Sequence, residues 1–105
     1  MASVYSKQLF AQAHLLGEQV QPLPPGVIWV IRDIAVYNPG TVGTQQTFVY
    51  GQLGQVIFNT GALIATQAYV HWEGRVVIPE AGFITIVTTD SPVDITICGY
   101  ELTAP

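Results

Sequence analysis

Between Gly26 and Asn38 run eleven residues, Val27-Ile28-Trp29-Val30-Ile31-Arg32-Asp33-Ile34-Ala35-Val36-Tyr37, apolar at every position but two. Pro24-Pro25-Gly26 opens the run and Asn38-Pro39-Gly40 closes it. β-Branched side chains lose rotamer freedom in a helix and pack well on a pleated surface, so the run predicts a strand. At about 3.3 Å per residue it is long enough to cross a small sheet. Its alternating sets, Val27/Trp29/Ile31/Ala35/Tyr37 and Ile28/Val30/Ile34/Val36, are both apolar. That predicts a central strand covered on both faces, with strict alternation carrying Arg32 and Asp33 to opposite sides.

The flanking pattern is all strand and turn. Thr47–Tyr50 and Gln55–Asn59 read as a hairpin around Gly51 and Gly54. Gln67–Ile78 reads as a strand with a bulge or bend at Gly74, and Gly61–Ala65 has room for one helical turn. Phe83–Thr89 and Val93–Leu102 are two further strands, set off by turns at Pro79-Glu80-Ala81-Gly82 and Asp90-Ser91-Pro92. Residues 1–16 admit two readings. One is a short helix capped by Ser6, with Leu9, Phe10, Ala13 and Leu16 at helical spacing; the other is a first strand behind an N-terminal arm. The rest of the chain favours the strand, and the prolines at 22, 24 and 25 keep Glu18–Leu23 extended. Seven or eight short strands at this spacing predict one all-β domain over residues 1–105, an antiparallel β-sandwich of jelly-roll-like type.

Charge changes the picture. Only 10% of the residues are charged, with a net charge of −4, against roughly 25% in ordinary soluble proteins. Lys7, Arg32 and Arg75 are the only cations, and Ile34 to Trp72 contains no Asp, Glu, Lys or Arg. So small a domain has much surface for its volume, and here that surface must be amides, hydroxyls and apolar groups. Two accounts fit: other protein chains cover much of it, or the chain is a weakly charged monomer. Three scattered cations argue against nucleic acid. Gln, Asn and Pro interrupt every apolar stretch, so no membrane-spanning segment of ~20 residues is expected, nor a signal peptide. A lone Cys98 gives no intrachain disulfide and suits a reducing compartment.

Candidate chemistry is sparse. His71-Trp72-Glu73-Gly74-Arg75 followed by Pro79 and Gly82 has a cupin-like look, but a metal needs three or four converging ligands, and the one other histidine is His14. No cofactor is expected. Arg32 and Asp33, flanked by apolar residues, must reach solvent, a subunit contact, or an internal bridge to Glu73, Asp94 or Glu101. The serines lack a nucleophile-elbow context and Cys98 reads as a small core residue, so no catalytic residue is expected. Phe48, Tyr50, Tyr69 and Trp72, with Arg32 and Arg75, form the candidate assembly interface, because interface cores are rich in aromatics and poor in charge. The competing account places those aromatics inside the second sheet.

Three stretches, Pro24-Pro25-Gly26 through Arg32-Asp33-Ile34, Trp72-Glu73-Gly74-Arg75 through Gly82, and Val93 through Cys98-Gly99-Tyr100-Glu101-Leu102, together resemble a group of small β-sandwich virion proteins of tailed actinobacterial phages. The resemblance implies a non-enzymatic structural subunit, a tail component or a capsid decoration or fibre protein. Taken with the low charge, it leads to an expected location in the virion and to expected partners that are further copies of the chain, as a trimer or higher cyclic assembly, and other virion proteins. A carbohydrate- or receptor-binding module that meets host surface glycan is the alternative, and a degenerate cupin-like enzyme a more distant one.

Overall fold

The computed structural model describes residues 7–39, 46–51, 54–60 and 68–103, the side chains at 46, 90 and 91 excepted. Among them are six strands and no helix: β1 (Lys7–Pro22), β2 (Val27–Tyr37), β3 (Gln46–Tyr50), β4 (Val56–Asn59), β5 (Tyr69–Ile78) and β6 (Phe83–Thr103). The expected helical turn at 61–65 and the arm at 1–6 lie outside the described residues. All pairings are antiparallel, in the order β4-β3-β6-β2-β5 with β1 also on β6. The residues after Gln8 choose strand over helix because β6 offers them a partner along its whole length.

β6 is the central strand, paired with β1, β2 and β3, while β4 and β5 attach through β3 and β2. Its first limb, Phe83–Thr89, lies between β1 and β3; its second, Val93–Thr103, lies between β1 and β2. The sequence separates these limbs by a turn at Asp90-Ser91-Pro92, whereas the strand runs through it. Counted as two limbs, β6 brings the total among the described residues to seven, within the seven or eight strands expected. The result is a β-sandwich-like fold whose two halves share the β1–β6 ribbon.

The corner between the limbs is built into both ribbon strands. From Thr88 to Val93 β6 takes five steps while β1 takes two, from Gly17 to Leu15. Buried positions accordingly change parity, from Ile84, Ile86 and Thr88 to Val93, Ile95 and Ile97. β1 turns the same corner with His14 at φ 55° and Gly17 at φ 82°. The His14 backbone N–H donates to Asp94 Oδ1 at 3.0 Å and fastens the bend.

A second break crosses every strand of the other half. Between the pairs Ile34/Ile97 and Ile31/Gly99, β6 advances two residues and β2 three. Over the same interval β5 advances four, Trp72 to Val76, and β1 three, Phe10 to Lys7. Extra residues in the flanking strands make a transverse line of bulges, which bends and twists a sheet locally. Arg32 is the extra residue of β2. The inward set therefore changes from Trp29 and Ile31 to Ile34 and Val36, which corrects the unbroken alternation expected for this strand. Opposite the bulge sits Gly99: a Cβ built there would overlap the Val30 carbonyl oxygen and crowd the Arg32 nitrogen at 3.1 Å.

Every strand sends residues into one core: Leu15, Ile31, Val49, Phe58, Ile78, Ile86 and Ile97 are all at most 5% exposed. Each such side chain contributes roughly 1.5–3 kcal/mol by leaving water. The polar groups inside are paired. Thr47 Oγ1 and Thr88 Oγ1 share a hydrogen bond of 3.3 Å, and among the described residues no buried side-chain polar atom lacks a partner.

Two substitutions test this geometry by chemical denaturation. Gly99→Ala sets a methyl group against backbone that cannot retreat, and should cost more than about 3 kcal/mol or abolish folding. Ala81→Gly should do the reverse. Ala81 holds φ 61° in the turn closed by Gly82 N–H donating to the Pro79 carbonyl, and relieving that strain should add about 0.5–1 kcal/mol.

Candidate functional site

The six candidate interface residues do not fall on one surface. Phe48 and Tyr50 point outward from β3, their rings stacked at 5.9 Å. Tyr69 and Arg75 lie on the outer face of β5, in the opposite half. Tyr69 is 72% exposed and leans on Tyr37 with ring centroids 4.6 Å apart. Trp72 points inward, half-buried against the core, its ring lying over Gly74, so it belongs with the residues that line the sheet interior.

Arg32 departs further from expectation. The bulge turns Arg32 and Asp33 to the same side, where with Glu73 and Tyr100 they line a hollow of about 290 Å³. Arg32 makes none of the internal bridges anticipated; among the described residues the one Lys or Arg ion pair is Lys7–Glu101. Asp33 and Glu73 are direct cross-strand neighbours, so like charges face each other at the surface. His71 Nδ1 lies 3.9 Å from Glu73 Oε1. Cys98 is half-buried opposite Asp33 and Gln8 and not in the core. Burial pushes its thiol up, with further contributions from the Asp33 charge and hydrogen bond, which keeps it protonated at neutral pH.

The face around Phe48 and Tyr50 has a different character. Cross-strand pairing sets Phe48 beside Val87 and Tyr50 beside Thr85, with Glu18 and Val20 of β1 on the far side. Val56 and Phe83 extend it, 55% and 37% exposed. A shallow hollow of about 360 Å³ opens here between Tyr50, Gly51, Gly54, Phe83, Thr85, Val87 and Glu18. Among the described residues Glu18 is the only ionised group that lines it. Sequence reading found Phe48 and Tyr50 and missed Phe83, Val87 and Val20. The signal was the period-two partner of the buried Ile84 and Ile86: the set Phe83, Thr85, Val87 had to face out.

At the far end of the core, Glu101 joins an exposed cation to the N–H of a buried indole. Lys7 Nζ donates to its Oε2 at 2.8 Å and the buried Trp29 Nε1–H to its Oε1 at 3.2 Å. These two hydrogen bonds, Lys7 first, hold the Glu101 carboxyl below its ordinary range. No three His, Cys, Asp or Glu side chains converge among the described residues, and no described helix is long and apolar enough to cross a membrane. Comparison with known protein families matched none, and comparison with curated proteins matched none.

A carboxyl whose folded pKa is lowered contributes stability above its unfolded value and loses it as pH falls through the folded one. Glu101→Gln should therefore be less stable than the parent at pH 7, and the gap should narrow as pH falls below about 4. Urea midpoints of both proteins at pH 7 and pH 3 measure this; a gap unchanged by pH would refute the assignment.

Proposed function

We propose that the chain is a non-enzymatic structural subunit of a phage virion, tail-associated or on the capsid surface, acting through multimeric assembly. The observation that carries this reading is the outer face of β3, the first limb of β6 and β1. Phe48, Tyr50, Val56, Phe83, Val87 and Val20 stand there with Glu18 as the one charge among the described residues. A free monomer rarely leaves so contiguous an apolar face in water, and a charge-depleted, aromatic-rich patch matches the core of a protein–protein contact. The motif resemblance to small phage virion proteins supports the same reading. Burial of standard interface size, about 800 Å² per partner, provides ample driving force before association costs.

The hollow between Tyr50 and Phe83 supports a second reading. An aromatic pair beside a carboxylate and the Thr85 hydroxyl is the kind of shallow apolar cleft with few polar groups that holds a small ligand, here a host surface glycan. The two readings separate in one set of measurements. Sedimentation velocity over a hundredfold range of concentration should show a multimer, and Tyr50→Glu with Val87→Glu should reduce it to monomer with little loss of thermal stability. A monomer at every concentration that binds glycans on an array would instead support the module and remove the assembly reading.

A further inference from the structure

Resting on that assembly reading, we propose that β1 is an exchangeable strand: in the assembled state, Lys7–Pro22 of one copy pairs with β6 of a second copy of this chain, in the register it holds here. Among the described residues β1 is paired with β6 alone, through twelve registered positions from Lys7/Gly99 to Pro22/Phe83. The ladder has the same contacts whether its two strands come from one chain or two, so the hinge and the concentration decide between them.

The hinge is Leu23-Pro24-Pro25-Gly26. It carries the chain from Pro22, opposite Phe83 at the start of β6, to Val27, opposite Thr103 at its end. Prolines at 22, 24 and 25 bias the residues before them toward extended backbone. Against that bias, Gly26 at φ 75° is the one left-handed residue of the segment and turns the chain back. Nothing lies within 4 Å of a Cβ built at Gly26. Position 26 thus supplies a turn and no packing. The hinge's hold on the core is Leu23, 7% exposed, whose N–H donates to the Gly82 carbonyl at 3.1 Å. In the exchanged pair Leu23 travels with β1 and makes the same contacts on the second copy. Four extended residues reach roughly 13 Å, enough to carry β1 off its own body.

The surface at the hinge end favours a close neighbour. Val20 is 51% exposed, and Phe83 and Leu102 are 37% exposed each. Phe83 is the ladder partner of Pro22, and Leu102 that of Ile28 just beyond the hinge. In an exchanged pair the two bodies meet at this end and bury these side chains against each other. Leu15, 1% exposed, anchors β1 in the core, so exchange passes through an opened chain and is slow once folding is complete.

Gln8 lies directly opposite Cys98, the only cysteine, and this makes the test direct. A Gln8→Cys variant is brought to a concentration at which sedimentation shows multimer, oxidised with copper phenanthroline, and run on a denaturing gel without reductant. Disulfides between chains, seen at dimer mass, are the expected result. Adding Gly26→Ala, which strains only the closed hinge, should lower the concentration for half-maximal cross-linking on the order of tenfold. A multimer whose disulfides all lie within single chains overturns the exchange and leaves the assembly reading standing. A protein that stays monomeric with intrachain disulfides overturns both, and a Gly26→Ala midpoint that does not move overturns the hinge assignment.

Discussion

The approach of the β2 backbone to Gly99 is the constraint from which the architecture follows. With no side chain at 99, the strand beside it can fold across at Arg32, and the extra residues of β1, β2 and β5 line up into one crease. That crease, with the corner at Thr88–Val93, lets a single ribbon of β1 and β6 serve both halves of the sandwich and enclose one core. A straight β6 would leave Ile84 and Ile86 on one face and Val93, Ile95 and Ile97 on the other, because the buried set changes parity between them.

The two halves carry two kinds of exterior. On the β5 side lie Arg32, Asp33, Glu73, Arg75 and His71, and the bulge at Gly74 and Arg75 places charge along an otherwise open edge. Charges and bulges of this kind discourage edge-to-edge pairing. On the β3 side the outward residues are aromatic, aliphatic or uncharged polar, Thr85 and Asn59 among them, with a single carboxylate beside them among the described residues. The few ionised groups of the chain are therefore concentrated where a sheet edge needs protection or where Glu101 closes the core over Trp29. The face left without them is the one we propose a neighbouring chain covers.

Much of this was legible in the sequence because it depends on local chemistry. β-Branched runs between Pro/Gly turns located β2, the β3–β4 hairpin and β5, and Gly74 marked its bulge. The features that escaped are non-local. Whether Arg32 and Asp33 sit on one side or two depends on how many residues β6 spends between Ile97 and Gly99, and nothing near position 32 records that. Asp90-Ser91-Pro92 has the composition of a turn, yet β1 runs alongside both limbs and keeps them one strand. Trp72 and Tyr69 looked equivalent in a charge-free segment; their opposite fates follow from the parity of β5 against a core built mostly by β2 and β6. Of the candidate interface, Phe48 and Tyr50 were identifiable by composition, while their neighbours Val20, Phe83 and Val87 required the pairing.

The claim on which the functional account turns is that the β3-side face is covered by another protein chain. Hydroxyl-radical footprinting read by mass spectrometry, comparing dilute with assembled protein, measures this cover residue by residue. The account predicts that Phe48, Tyr50 and Phe83 lose most of their labelling on assembly while Tyr69 keeps its own. Equal labelling of all four in a protein that has demonstrably assembled would contradict it.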